Sequence, residues 1–171
     1  MNFFETIEAR QSIRAFQNKT VEPEKLDALL NAINRAPSAG NCQAYQVYVV
    51  RDPEMKKKFA EAALRQEFVA QAPVVLIFCL DPARAARYGK RGEQLYCQQD
   101  AAIAVAYAQL AATALGLATC WVGAFNEESV SRAAGLPAEH RPVAILPIGY
   151  AAEQPPRSSR RTIEDLVREL R

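Results

Sequence analysis

The chain has 171 residues, half of them hydrophobic and 23% charged, which is enough for one domain (residues 1–171) with a core needing no disulfide or metal staple. Lys and Arg number 21 against 19 Asp and Glu, a net charge of +2, which argues against nucleic-acid binding through bulk charge. A single histidine, His140, excludes a histidine-rich metal centre.

The opening MNFFETIEARQ carries acidic residues early and no long apolar stretch, so no signal peptide is expected. The longest apolar runs are too short to span a membrane. Cys42, Cys79, Cys97 and Cys120 form no C-x-x-C pair and read as small hydrophobes in a reducing compartment. A cytoplasmic address is the expectation. In Arg10-Gln11-Ser12-Ile13-Arg14, an extended backbone would put Arg10, Ser12 and Arg14 on one face. Two guanidinium forks and a hydroxyl then make either a cradle for a phosphate monoester or a solvated edge.

Val21 to Ala36 reads as a helix, with Leu26, Leu29, Leu30 and Ile33 at helical spacing. The polar island after it, Ala36 to Gln43, contains Gly40 for close backbone approach. Ser38, Asn41 and Gln43 suit the edge of a heteroaromatic ring, or simply a helix-to-strand turn. Tyr45 to Arg51 reads as a strand. Asp52-Pro53-Glu54 opens a helix whose Lys56, Lys57 and Lys58 are expected on a solvated face. Pro73 to Leu80 is apolar throughout, as a strand covered on both faces would be.

Glu93 to Leu115 is the longest helix, apolar nearly all round, and calls for burial between layers or against a second subunit. Thr119 to Phe125 reads as a strand, and Asn126 as the cap of a helix from about Glu127. Pro142 to Tyr150 is another strand. His140 is expected in a loop rather than as a catalyst. Pro155-Pro156 breaks the pattern before a basic stretch, Arg157 to Arg161, that is either a second phosphate-facing cluster or a solvated tail. A short helix follows from about Thr162. Strands interleaved with helices mean a layered α/β domain. No G-x-G-x-x-G, P-loop or G-x-S-x-G motif is present, so the chain is either a binding protein or an enzyme whose cofactor does the chemistry.

Several motifs recur together and in order: R-x-S-x-R-x-F, A-P-S-A-G-N-x-Q, Y-G-x-R-G (Tyr88 to Gly92), L-Y-x-x-Q-D-A-A (Leu95 to Ala102), G-L-A-T-C-W-V-G-A-F (Gly116 to Phe125) and P-I-G-Y with arginines beyond. In this set the chain resembles the FMN-dependent nitroreductase family in its short form, over essentially its whole length. The resemblance implies an α+β fold, a three-layer α/β/α sandwich with a mixed central sheet, as an intertwined homodimer with shared active sites. It implies FMN as cofactor and NAD(P)H as electron donor, with a nitroaromatic, a quinone or another small acceptor reduced in ping-pong order and no protein side chain as catalyst. A flavin-binding or sensing module without efficient turnover is the alternative. No metal, nucleic acid or membrane is implied.

By the same resemblance, Arg10, Ser12 and Arg14 would hold the ribityl phosphate and the O2 side of the flavin, helped by Arg160 or Arg161. Gln11 stands where family members often carry a basic residue, and would contribute less charge. Pro37, Ser38, Ala39 and Asn41, with Gln43 beside them, would come from the other subunit and border the ring. Val122, Gly123 and Ala124 would pass beside the isoalloxazine. Phe68, Tyr88, Arg91 and Tyr96 are candidates for the rim of an open substrate face, or plain packing residues.

Overall fold

The run VVLIFCL, Val74–Leu80, has no polar side chain and is buried at every residue. It is an inner strand of the sheet in the computed structural model, which describes residues 1–170. In chain order the elements are α1 (Phe3–Ala9), α2 (Pro23–Asn34), β1 (Tyr45–Val50), α3 (Pro53–Ala62), α4 (Phe68–Gln71) and β2 (Val74–Leu80). A 3-10 stretch (Pro82–Tyr88), α5 (Gly89–Arg91) and a π turn (Gly92–Tyr96) lead into α6 (Cys97–Ala114). Then come β3 (Ala118–Thr119), α7 (Glu127–Ala134), β4 (Arg141–Gly149) and α8 (Ile163–Leu166).

The strands lie in the order β1-β2-β4-β3, and each ladder between them is antiparallel. Among the described residues the mixed pairing expected of the sheet is confined to one isolated parallel bridge, Ser12 to Thr119. On one face Leu76 and Phe78 of β2 pack against Leu26, Leu29 and Ile33 of α2 and Ala101, Ala104, Val105 and Ala108 of α6. On the other, Val75 and Ile77 meet Phe59 of α3, Val69 of α4 and Val130 of α7. Alternation along β2 therefore feeds two cores at once, which gives the three layers.

The sequence expectations hold for most elements, with both ends of α2, β1 and β4 and the start of α3 within two residues. Three readings change. The long helix begins its α-helical part at Cys97, four residues later than expected, because the turn before it is π-wound. It is also not enclosed all round: Ala102 and Ala106 are exposed and Tyr107 is 39% exposed.

The strand expected from Thr119 to Phe125 forms a ladder only at Ala118–Thr119, with a lone bridge at Val122 to Ile145. The register explains the gap. Pairing Thr119 with Ile148 and Val122 with Ile145 puts Cys120 opposite Pro147. That is a position where the ladder needs an N–H that proline lacks.

Lys56 is not on a solvated face. It is 7% exposed, and its Nζ donates to the Ala72 carbonyl at 2.6 Å, one of the acceptors that the end of α4 leaves over. Lys57 does face solvent, paired with Glu54 at 2.8 Å. No helix among the described residues is long and apolar enough to cross a membrane.

Burial pushes the Lys56 ammonium below its ordinary value, with only Asp52 pulling it back. Between that lowered native value and the ordinary one, the unfolded chain binds more protons at this group, so its contribution to stability rises with pH. In denaturant unfolding from about pH 7 to 10 this contribution should appear as the difference in slope between the wild type and a Lys56 variant. Buried Cys79, Cys97 and Cys120 pull the total the other way as the unfolded thiols ionise. Lys56→Met, which keeps the buried apolar stem, should lose the Lys56 contribution alone. An identical slope in the variant would mean that Lys56 is not the group responsible.

Candidate functional site

The Arg10 to Arg14 segment is extended, the condition under which its spacing puts Arg10, Ser12 and Arg14 on one face. Ser12 bridges Thr119, and the Ile13 N–H donates to the Thr119 carbonyl at 3.0 Å. Further along, Gln17 N–H donates to Tyr150 O at 2.9 Å and Ala152 N–H to Ala15 O at 2.9 Å. The segment is thus stitched to both β3 and the end of β4. Arg10, Ser12 and Arg14 all act on the Cys120 thiol. Burial pushes that thiol up, while Arg14, a hydrogen bond with Ser12, and Arg10 pull it down, and the Glu153 carboxylate adds to the rise. The same carboxylate accepts the Arg14 backbone N–H, so Glu153 holds the segment from behind. Gln11 turns elsewhere. With Ile13 it lines a cleft shared with Thr113, Gly116, Leu117 and Ala118, at the C-terminal end of α6.

The interruption of the ladder at Cys120 frees the next residues. Val122 N–H and C=O are both committed to Ile145, at 2.9 and 3.0 Å. Gly123 and Ala124 are exposed, and neither N–H has a partner within the described residues. A Cβ placed on Gly123 would meet only the edge of the Trp121 indole, at 3.4 Å. A flat group could therefore approach this backbone closely. Thr119 Oγ1, in the residue that pairs with Ser12, is buried with no partner among the described residues.

The Ala36 to Gln43 island forms a 3-10 turn at Ala39–Asn41, with Gly40, Asn41 and Gln43 all at φ between 47° and 56°. Left-handed backbone at three of four positions is costly for the two non-glycine residues. What holds it is Asp100 of α6, which the sequence reading quoted only as a motif letter. Asp100 is 2% exposed, and its two carboxylate oxygens accept from Ala39 N at 2.9 Å and Ala44 N at 3.3 Å. Gln43 N–H also donates to Ser38 Oγ at 3.0 Å. The signal available in the sequence was an acidic residue in an otherwise apolar helix. The Gln43 carboxamide turns back to the end of α2, donating to Asn34 O and Oδ1 at 3.2 and 3.1 Å. It does not face outward with Asn41, which is exposed beside Pro37.

Of the rim candidates, three are brought together and one is not. The Tyr88 and Tyr96 rings lie edge-on, 5.5 Å apart, and Arg91 Nε donates to Tyr96 Oη at 3.1 Å. Phe68 is 8% exposed in the core on the α3–α7 face of the sheet. Arg160 and Arg161 lie on an exposed tail, where Arg161 reaches Asp165 at 3.7 Å. Within the described residues neither bonds to Arg10, Ser12 or Arg14. His140 sits between the Tyr48 hydroxyl, at 2.5 Å from Nδ1, and Asp81, at 3.8 Å from Nε2, apart from these groups.

The two halves of the candidate site stand far apart in one chain. The arginine segment adjoins Thr113, while the turn adjoins Asp100 on the same helix. Thirteen residues of α-helix separate them, about 20 Å.

The chain was compared with known proteins. The model of the family described as "Nitroreductase family" matches residues 7–66 and 60–150. An FMN reductase [NAD(P)H] of Bacillus subtilis is 35% identical over 158 residues, covering 84% of this chain and 64% of the relative. An NADH dehydrogenase of Thermus thermophilus is 32% identical over 186 residues, covering 92% of this chain and 91% of the relative. The solved structure of NADPH:FMN oxidoreductase from Vibrio harveyi, in complex with NAD+, superposes with a TM-score of 0.91 at 26% identity, over 99% of this chain and 77% of that one.

Asp100→Ala should leave two buried N–H groups unpaired around a left-handed turn and lower unfolding stability by about 2–4 kcal/mol, with Asp100→Asn losing less. Equilibrium denaturation checks it. A loss below about 0.5 kcal/mol would mean that the carboxylate does not hold the turn.

Proposed function

The chain belongs to the nitroreductase family, and from that premise we propose that it is an oxidoreductase passing electrons from NAD(P)H, through bound FMN, to a nitroaromatic, a quinone or another small acceptor in ping-pong order. FMN supplies the redox chemistry when bound, taking hydride from the donor and passing electrons to the acceptor. The work of the chain is to bind, orient and shield.

The donor set suits that cofactor. Two guanidinium groups and a hydroxyl on one extended edge match a phosphate monoester by charge and by paired N–H geometry. The sequence carries no G-x-G-x-x-G fingerprint of the kind that holds a dinucleotide. Arg10, Ser12 and Arg14 would take the phosphate end, with Glu153 fixing the Arg14 backbone so that its side chain stays presented. Gly123 and Ala124 would offer free N–H groups and open space to the ring edge. Gln11, on the cleft side of the segment, is at most a neighbour of the cofactor. No thiol is needed. Burial pushes Cys79 up to about 12 and raises Cys97 and Cys120 as well, which leaves them protonated and inert.

The observation that carries the quaternary part is the separation of about 20 Å between the arginine segment and the Asp100-held turn. One flavin touching both, as the resemblance requires, would take them from different chains. A second copy would also cover surface that water now meets: Ala102, Ala106 and Tyr107 on α6, and Ile163 (66% exposed), Leu166 and Val167 (52% each) on the tail. The tail also carries Arg160 and Arg161, which could then reach the partner's phosphate cradle. We therefore propose a homodimer in which each site draws Arg10, Ser12 and Arg14 from one chain and Pro37, Ser38, Ala39 and Asn41 from the other.

The purified protein should release FMN, not FAD, on denaturation, and NAD(P)H should bleach the bound flavin. FAD in the released fraction, or no flavin after soaking, would refute the cofactor. Arg14→Ala should weaken FMN binding by about tenfold or more, measured by fluorescence titration. Arg10→Ala and Asn41→Ala, refolded together, should yield about a quarter of all sites intact under random pairing. Recovery of turnover to that level supports a shared site. No recovery in mixed dimers verified by mass spectrometry would put both residues at one chain's site.

A further inference from the structure

The segment from Pro82 to Tyr96 carries Arg84, Arg87, Lys90 and Arg91 against one acidic residue, Glu93. A local excess of three positive charges exceeds the +2 of the entire chain. All four cations are exposed, and none forms an ion pair among the described residues. They are not loose. Arg84 Nε donates to the Cys42 carbonyl at 3.2 Å, Arg87 Nη2 donates to the Gly40 carbonyl, and Arg91 Nε donates to Tyr96 Oη at 3.1 Å.

Arg84 and Arg87 thus spend part of their five N–H groups on seating the segment against the turn, and Arg91 spends one on Tyr96 within the segment, with the remainder left to donate. Two tyrosines stand among them. The Arg87 guanidinium lies 4.9 Å from the Tyr88 ring, and that of Arg91 lies 5.6 Å from the Tyr96 ring, within cation–π range.

Gathering four cations beside a single carboxylate, Glu93, with none of the four ion-paired among the described residues, costs repulsion that a bound anion would relieve. The segment is fastened to Gly40 and Cys42, in the turn that would border the flavin ring. We propose that it recognises an oxyanion, phosphate or carboxylate, on the small-molecule substrate, with Tyr88 and Tyr96 taking the flat part of that molecule. This inference rests on the proposed flavin site only for its location. Two sources supply the chemistry: the 2′-phosphate that distinguishes NADPH from NADH, and a carboxylate on an aromatic acceptor.

The test uses FMN-loaded wild-type protein, the Lys90→Gln variant, whose side chain makes no hydrogen bond or ion pair among the described residues, and the Lys90→Gln/Arg91→Gln variant. One arm compares KM for NADPH and NADH, and the other compares kcat/KM for 4-nitrobenzoate and nitrobenzene. In one arm or the other the double variant should lose about tenfold on the charged member alone, with the single variant intermediate. The wild-type preference should fade as salt is raised. The arm that responds identifies the source.

Calorimetric titration with adenosine 2′,5′-bisphosphate against adenosine 5′-monophosphate, with and without FMN, gives a readout that needs no turnover. If charged and uncharged members change together in both arms, in protein that still holds FMN and oxidises NADH, the anion site is refuted while the flavin reading stands. If the wild type holds no flavin, the flavin reading fails. The anion site is then decided by the bisphosphate titration, where tighter binding that Lys90→Gln/Arg91→Gln weakens upholds it and equal binding of the two nucleotides overturns it.

Discussion

The inner strands β2 and β4 bury side chains on both faces, and the rest of the architecture follows from that requirement. Val75, Ile77 and Ile145 point to one side, and Leu76, Phe78 and Leu146 to the other. Neither set can meet water without losing roughly 1.5–3 kcal/mol per large side chain. Both faces must therefore carry helices. α2 and α6 close one side, and α3, α4 and α7 the other. The loops that leave the sheet edges and the ends of α6 are where backbone polar groups remain free for other uses.

Two local devices turn those free ends into candidate binding elements. Pro147 cannot donate to the strand beside it, so the ladder with β3 breaks after Thr119, and beyond the lone bridge at Val122 the N–H groups of Gly123 and Ala124 emerge without a partner among the described residues. At the far end of α6, one buried carboxylate takes the place of a sheet partner. Asp100 bonds two backbone N–H groups and supports a turn that L-residues would not adopt alone. Buried and without a cation, that carboxylate is stabilised by backbone dipoles instead. The first device opens a surface for a ring, and the second holds a polar edge in fixed shape.

The length of α6 sets the distance between these devices, and that distance gives the proposed dimer its logic. A helix of small residues, Ala101, Ala104, Ala108 and Ala112, lies close on the sheet with one face, and presents Ala102 and Ala106 on the other. A second copy laid on that outer face would bring the arginine segment of one chain toward the turn of the other. The basic segment from Pro82 to Tyr96, fastened to the same turn, would then stand over the partner's half of the site.

The sequence by itself determined what is periodic or chemically punctuated. It determined the two-sided strand at Pro73 to Leu80, the capped starts at Asp52 and Asn126, the spacing that puts Arg10, Ser12 and Arg14 on one face of an extended backbone, and, through the ordered motifs, the family. Local interactions set those features, so a local reading reaches them. Tertiary structure decided what depends on who lies opposite. Lys56 looks solvated in a run of three lysines, yet it is buried because the end of α4 leaves a carbonyl for it. The stretch after Thr119 has strand composition but loses its ladder to a proline 27 residues later in sequence. Asp100 reads as one acid in a helix until Ala39 and Ala44 are folded against it, and Gln43 reads as a ring-edge donor until Asn34 claims it. Phe68 is an aromatic like Tyr88 and Tyr96, and only packing assigns it to the core. A hydrogen-bond partner or a burying neighbour distant along the chain leaves no mark in the residues beside it, which is why these assignments waited for the fold.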